Sequence, residues 1–168
     1  SLTEIRGELP LRMEDGRCAT LTARADRLDL LADGRLAILD YKTGAPPSAA
    51  QVKEGHRPQL PLEAAMAARG AFPGLQPADA AALAYWRLSG GPEPGEVRVV
   101  SREAQEIADL AERALGELRR LVGRYLLGAA PFTARPHPGR RPAGTEYEHL
   151  SRLGEWAGAE DAAEGGGP

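Results

Sequence analysis

In the stretch "LAILDYKTG" (residues 36–44) an acid, Asp40, and a lysine, Lys42, stand two residues apart at the end of an apolar run. Residues i and i+2 of a strand share a face, so the carboxylate and the ammonium project together, in line with Leu36 and Ile38. Just upstream, Ala32-Asp33-Gly34 is a tight-turn signal. With the loop centred on Asp33, Leu30 faces Leu36, Leu28 faces Ile38 and Asp26 faces Asp40; directly opposed residues hold their Cβ atoms about 4.5–5.5 Å apart. Two like charges so placed are destabilising unless a cation lies between them. A two-residue Asp-Gly loop shifts the register by one, sets Asp26 opposite Tyr41 and gathers no site. The first register is preferred because it matches apolar pairs and accounts for both carboxylates.

Oxygen ligands without a His or Cys cluster favour Mg²⁺ or Mn²⁺ over Zn²⁺. Such a metal, held by one or two carboxylates and several waters, clamps a phosphoryl oxygen and lowers the pKa of a bound water. A lysine beside it orients that water and offsets charge building on the phosphate. The chemistry implied is phosphodiester hydrolysis.

Residues 3 to 42 read as three strands that position this pair, joined by turns at Glu14-Asp15-Gly16 and Asp33-Gly34. After Gly44, "APPSAAQ" forbids regular structure at its prolines, and Ser48 caps a short helical turn. A helix follows from about Pro58 to Arg69, with Pro58 and Pro61 confined to its first turn. "AALAYWRLSG" (81–90) and "EVRVV" (96–100) read as two further strands. Ser101 is expected to cap a long helix whose apolar stripe runs from Ile107 through Leu110, Leu115 and Leu118 to Leu126, roughly 37 Å at about 1.5 Å per residue. The order of elements predicts an α/β fold: a mixed sheet with an N-terminal antiparallel meander, flanked by helices. Residues 1–130 are expected to form the core. Residues 131–157, rich in Pro, Gly and Arg, would be an extension packed on it, and 158–168 a disordered acidic tail.

The 168 residues allow one domain with a sizeable core, and 42% hydrophobic with 27% charged residues is ordinary for a soluble globular protein. A net charge of −3 does not advertise nucleic-acid binding, although a local basic groove is compatible with an acidic sum. Only Lys42 and Lys53 are lysines, which makes the placement of Lys42 less of an accident. One cysteine, Cys18, excludes an intramolecular disulfide and a four-cysteine iron–sulfur cluster, fits a reducing cytoplasm, and is most simply a small apolar strand residue. No apolar run reaches the roughly 20 residues of a membrane span, and no signal-peptide pattern opens the chain. Its strand-like start, "SLTEIRGELPL", reads as a segment cut from a longer protein.

The set "ARADRLD…LAILDYKTG…PQLPLEA" resembles the nuclease signature of the RecB-type branch of the PD-(D/E)XK superfamily, and within it most closely the C-terminal nuclease domain of the AddB subunits of bacterial helicase–nucleases. "YEHLSRLGEW" is similar to the terminal segment of those subunits. The resemblance spans roughly residues 5 to 157. It implies a Mg²⁺- or Mn²⁺-dependent exonuclease domain acting on single-stranded DNA in double-strand break repair and recombination, beside an AddA-like helicase–nuclease partner subunit. Carried over by position, Asp26 and Asp40 would be metal ligands with the Tyr41 carbonyl, Lys42 the catalytic lysine, and Gln59 the site-proximal glutamine. Three departures stand out. Ala23 replaces the glycine that opens the first motif, and Glu63 stands where the glutamine motif often ends in a tyrosine. The family's upstream helix, which brings another acid or histidine to the metal, has no counterpart before residue 3, where the early carboxylates are Glu4 and Glu8.

Other positions carry weaker signals. His56 is a candidate phosphate contact, although a solvated loop histidine accounts for it more simply. Arg135, Arg140 and Arg141, with His137, form a basic loop that would grip a DNA backbone or serve as a plain linker. Asp29 reads as a solvated-face residue paired with Arg27, and Tyr85 and Trp86 as core. "KTG" also occurs in penicillin-binding serine enzymes, but no serine here has a lysine three residues on, which rules that class out. The alternative from another class is a catalytically silent DNA-end-binding or scaffolding domain.

Overall fold

The computed structural model describes residues 1–90 and 95–130. Five strands form one sheet in sequence order: β1 (Leu2–Arg12), β2 (Cys18–Leu30), β3 (Leu36–Lys42), β4 (Ala80–Arg87) and β5 (Glu96–Ser101). The β1–β2–β3 meander is antiparallel, β3 and β4 run parallel, and β5 returns antiparallel to β4. A parallel step needs a crossover, and here it carries α1 (Ala49–Lys53) and α2 (Gln59–Ala68). This is the expected mixed α/β sheet. Residues 1–128 form one compact unit; the proposed extension at 131–157 and tail at 158–168 lie outside the described residues.

The two hairpin turns are built alike. Leu31 N–H bonds Arg35 C=O at 2.8 Å, Gly34 N–H bonds Leu31 C=O at 3.0 Å, and Asp33 Oδ1 accepts from Arg35 N–H at 3.0 Å. Gly34 has φ +82, a conformation that glycine adopts without steric cost. This loop selects the register in which Leu30 lies opposite Leu36 and Leu28 opposite Ile38. Met13–Arg17 repeats the pattern with Asp15, Gly16 and Arg17.

Leu28, Leu36, Ile38, Leu83 and Tyr85 are fully buried and share one core with α2. Packed on both the sheet and α3 (Ala104–Leu121), α2 buries Leu60, Pro61 and Glu63 through Ala67. Its short alanine side chains let the layers approach closely. Phe72, just beyond α2, lies over Gly7 of β1; a Cβ added there would stand 2.5 Å from the Phe72 ring.

Several sequence expectations are adjusted. Ser48 does cap α1, in a reciprocal box with Gln51. Ser101 is not the cap of α3: it is paired in the sheet opposite Leu83, and Glu103 takes the N-cap position. The Ser101 hydroxyl instead accepts from Glu103 N–H at 3.2 Å and bonds the Glu106 carboxylate at 2.5 Å. The helix is also shorter than expected, 18 residues or about 27 Å. It then widens into a π-helical turn at Val122–Leu126, closed by Leu127 N–H to Val122 C=O at 2.9 Å. Its apolar stripe is buried only as far as Leu115, with Leu118 partly covered and Leu126 71% exposed. The fourth strand ends at Arg87 rather than Gly90.

Candidate active site

Parity along β3 sends Leu36, Ile38, Asp40 and Lys42 to one face, the face covered by α2. Asp40 follows its apolar neighbours into the interior and is 2% exposed. In the parallel ladder it lies beside Tyr85, whose hydroxyl pKa is pushed up by burial and by the carboxylates of Asp40 and Glu63. Lys42 is a third exposed; its Nζ sits 2.5 Å from Asp40 Oδ2 and 5.7 Å from the Tyr85 ring centre. Although Asp40 Oδ2 makes this ion pair, it has no partner at hydrogen-bond angles. The ion pair decides its energetics, because charge attraction depends weakly on angle. Lys42 C=O accepts from Leu88 N–H at 2.8 Å, which pins the end of β3 to β4.

The β2–β3 ladder runs from Leu30↔Leu36 to Arg27↔Leu39 and stops there. The expected direct pairing of Asp26 with Asp40 is therefore absent from the ladder. Asp26 Oδ2 instead accepts from Tyr41 N–H at 2.8 Å. A carboxylate facing another carboxylate gains by taking a backbone donor, and doing so opens the strands. On its other side, the β1–β2 ladder skips Glu4, the residue that would face Asp26. Glu4 sits at φ +55, rarely adopted by a non-glycine residue, and pairs with Arg24. Both ladders thus yield at Asp26. Because a strand residue directs its N–H and C=O to the same edge, the Tyr41 carbonyl opens on the same side as the Asp26 carboxylate.

The N-terminus of α2 brings two more side chains. Gln59 Nε2 donates to Asp40 Oδ1 at 2.6 Å and to Glu63 Oε1 at 3.2 Å, while Gln59 Oε1 accepts from Lys42 Nζ at 3.3 Å. Glu63, one turn on, is 2% exposed, and its Oε2 has no partner. Burial pushes its pKa up to about 7; Asp40 and Asp26 push the same way, and Gln59 and Lys42 oppose them.

Asp26, Asp40, Tyr41, Lys42 and Gln59 are brought together. His56 is exposed, 3.5 Å from Glu54, and lines a groove of about 670 Å³ with Lys42, Arg57, Pro58 and Gln59. Arg135, Arg140, Arg141 and His137 lie outside the described residues. Asp29 is on the opposite face, bound to Arg27 at 2.9 Å, and Arg27 stacks on Trp86. Cys18 is exposed at the start of β2. Sequence reasoning noted Glu63 only as a departure. The i, i+4 spacing from Gln59 was the signal that both share one helix face.

Among the described residues no three His, Cys, Asp or Glu side chains converge into a ready-made metal cage. The donor set is all oxygen; Asp40 Oδ2 is held by the Lys42 ammonium, and buried Glu63 Oε2 has no partner. The residues present fit a hard divalent cation at phosphodiester chemistry.

The PD-(D/E)XK nuclease superfamily model matches residues 2–142, and the chain belongs to that superfamily. Its members typically use divalent metals. Uncharacterized proteins of Rickettsia bellii and Rickettsia typhi are each 36% identical to the chain over 69 residues, 41% of this chain and 8% of theirs. The chain thus matches a small part of much longer relatives. The crystal structure of SSO0001 aligns with 69% of this chain and 50% of its own, at 14% identity and a TM-score of 0.38. Among the described residues no helix is long and apolar enough to cross a membrane.

Proposed function

We propose that the chain is a metal-dependent deoxyribonuclease domain that hydrolyses phosphodiester bonds of single-stranded DNA. The observation that carries this is the gathering of Asp26 and Asp40 with Lys42 at the end of β3, inside a PD-(D/E)XK chain. Asp26, Asp40 and the Tyr41 carbonyl would hold Mg²⁺ or Mn²⁺. Bound there, the cation supplies Lewis acidity toward a phosphoryl oxygen and a water. Lys42 orients the attacking water and offsets negative charge developing on the phosphate. Gln59 holds Lys42 against Asp40. His56 lines the groove proposed to receive the strand, and Arg135, Arg140 and Arg141 are further candidates for phosphate contacts.

The finer assignment rests on the motif resemblance: a RecB-type, AddB-like exonuclease of the cytoplasm, without an iron–sulfur cluster. It would serve double-strand break repair and recombination beside an AddA-like helicase–nuclease subunit. Cleavage of labelled single-stranded DNA with Mg²⁺, compared between wild type and Asp40→Asn, tests the activity; metal-dependent cutting that Asp40→Asn abolishes is expected. One observation favours a second reading, a silent DNA-end-binding or scaffolding domain: Lys42 and Gln59 already occupy both Asp40 oxygens. DNA binding without any metal-dependent cutting is its signature.

A further inference from the structure

Glu63 is the anomaly of α2. The helix is buried on nearly every side by Leu60, Ala64, Ala65, Met66 and Ala67, and an acid among them is costly unless it is paired. Among the described residues Glu63 forms no salt bridge and Oε2 has no partner, while Oε1 accepts from Gln59 Nε2 at 3.2 Å. A purely structural helix residue at that position gains nothing from a charge. The one direct side-chain contact of Glu63 with the site, among the described residues, is through Gln59.

A carboxamide has one end that donates and one that accepts. Gln59 turns its nitrogen to Asp40 and Glu63 and its oxygen to Lys42. Flipped, the amide would face two carboxylates with its oxygen and an ammonium with its N–H groups. All three contacts would become repulsive. Asp40 alone gives the amide nitrogen one acceptor on the strand. Glu63 adds a second from Gln59's own helix, one turn along.

Resting on the nuclease function above, we propose that Glu63 is a positioning residue, one that locks the Gln59 amide so that its oxygen holds the Lys42 ammonium beside Asp40.

The test uses the 168-residue chain with Mg²⁺ and labelled single-stranded DNA, comparing wild type, Glu63→Leu, Gln59→Leu and the double variant. Glu63→Leu should lower kcat about 10–100-fold with KM little changed. The double variant should be no slower than Gln59→Leu alone, because both act on Lys42 by one route. Glu63→Gln, which still offers a carbonyl to Gln59, should recover part of the rate. Without metal, the apolar variant should melt at or above the wild-type temperature, since it removes a buried unpaired acid. The side-chain amide NMR signals of Gln59, assigned by their loss in Gln59→Leu, should lose their protection from exchange. Wild-type cleavage by Glu63→Leu, multiplying losses in the double variant, a lowered melting temperature, or an unmoved Gln59 amide each overturns the proposal. If Asp40→Asn and Lys42→Met cut as fast as wild type, the nuclease function is what fails. The Gln59 amide and the melting temperature still decide the Glu63 lock.

Discussion

Asp40 is held between a cation and a carboxamide, 2.5 Å from Lys42 Nζ and 2.6 Å from Gln59 Nε2, and is itself almost closed to water while Lys42 stays a third exposed. Screening is weak there, so removing either charge should be felt in the chemistry. Lys42→Met is expected to slow cleavage of single-stranded DNA by about 10²–10³-fold, and Asp40→Asn by at least as much, in a labelled-strand assay with Mg²⁺. Glu63 supplies a pH signature of its own. Its folded pKa of about 7 lies above the ordinary 4.5. The native state therefore binds more protons than the unfolded chain between those values, and stability falls as pH rises through that window. The loss is on the order of 3 kcal/mol and levels off above the folded pKa. Glu63→Gln lacks this loss. In chelator, its melting temperature should gain on wild type from about pH 5 to pH 7 and then hold a constant lead; parallel curves would contradict the assignment. The nearness of Asp26, Asp40, Lys42 and Gln59 was legible from strand parity, the turn and the motif. Glu63 was not, because burial of a helix residue depends on which layers cover it, and α3 covers α2 from beyond the reach of local pattern.

At the scale of elements, the site depends on two departures from regular pairing. The Asp33-Gly34 loop sets the register, and the ladder then gives way at Asp26, where the acid takes Tyr41 N–H. The register could be read from the loop because turn chemistry fixes strand alignment locally. The break could not: it coincides with the Asp26–Tyr41 N–H bond and the left-handed Glu4 on β1, features of three strands at once. The end of α3 was misread for a similar reason. The apolar stripe continues to Leu126, but the surface it packs on does not, so Leu121 and Leu126 stay exposed. Gly7 offers a check on the packing that supports β1. Gly7→Ala would drive its Cβ into the Phe72 ring and the Ala71 carbonyl, and should cost about 1–3 kcal/mol in denaturant unfolding. An unchanged midpoint would mean that Phe72 does not lie over β1 as described.

For the molecule as a whole, one core joins the sheet to α1, α2 and α3 within residues 1–128. A chain ending at residue 130 should accordingly unfold in a single cooperative transition by circular dichroism and calorimetry; a broad, non-cooperative melt would contradict the proposed 1–130 core. The fold class was legible because three strands, a crossover and two strands leave few ways to cover one sheet, and superfamily membership over residues 2–142 agrees with it. The basic residues at 135, 140 and 141 had no comparable pattern to anchor them. The central claim is that Asp26 and Asp40 share one cation, and crystals of the chain soaked in Mn²⁺ address it most directly. An anomalous peak within coordination distance of both carboxylates and the Tyr41 carbonyl is the predicted result. Manganese bound elsewhere, with that position empty while DNA is still cut in a metal-dependent way, would contradict it.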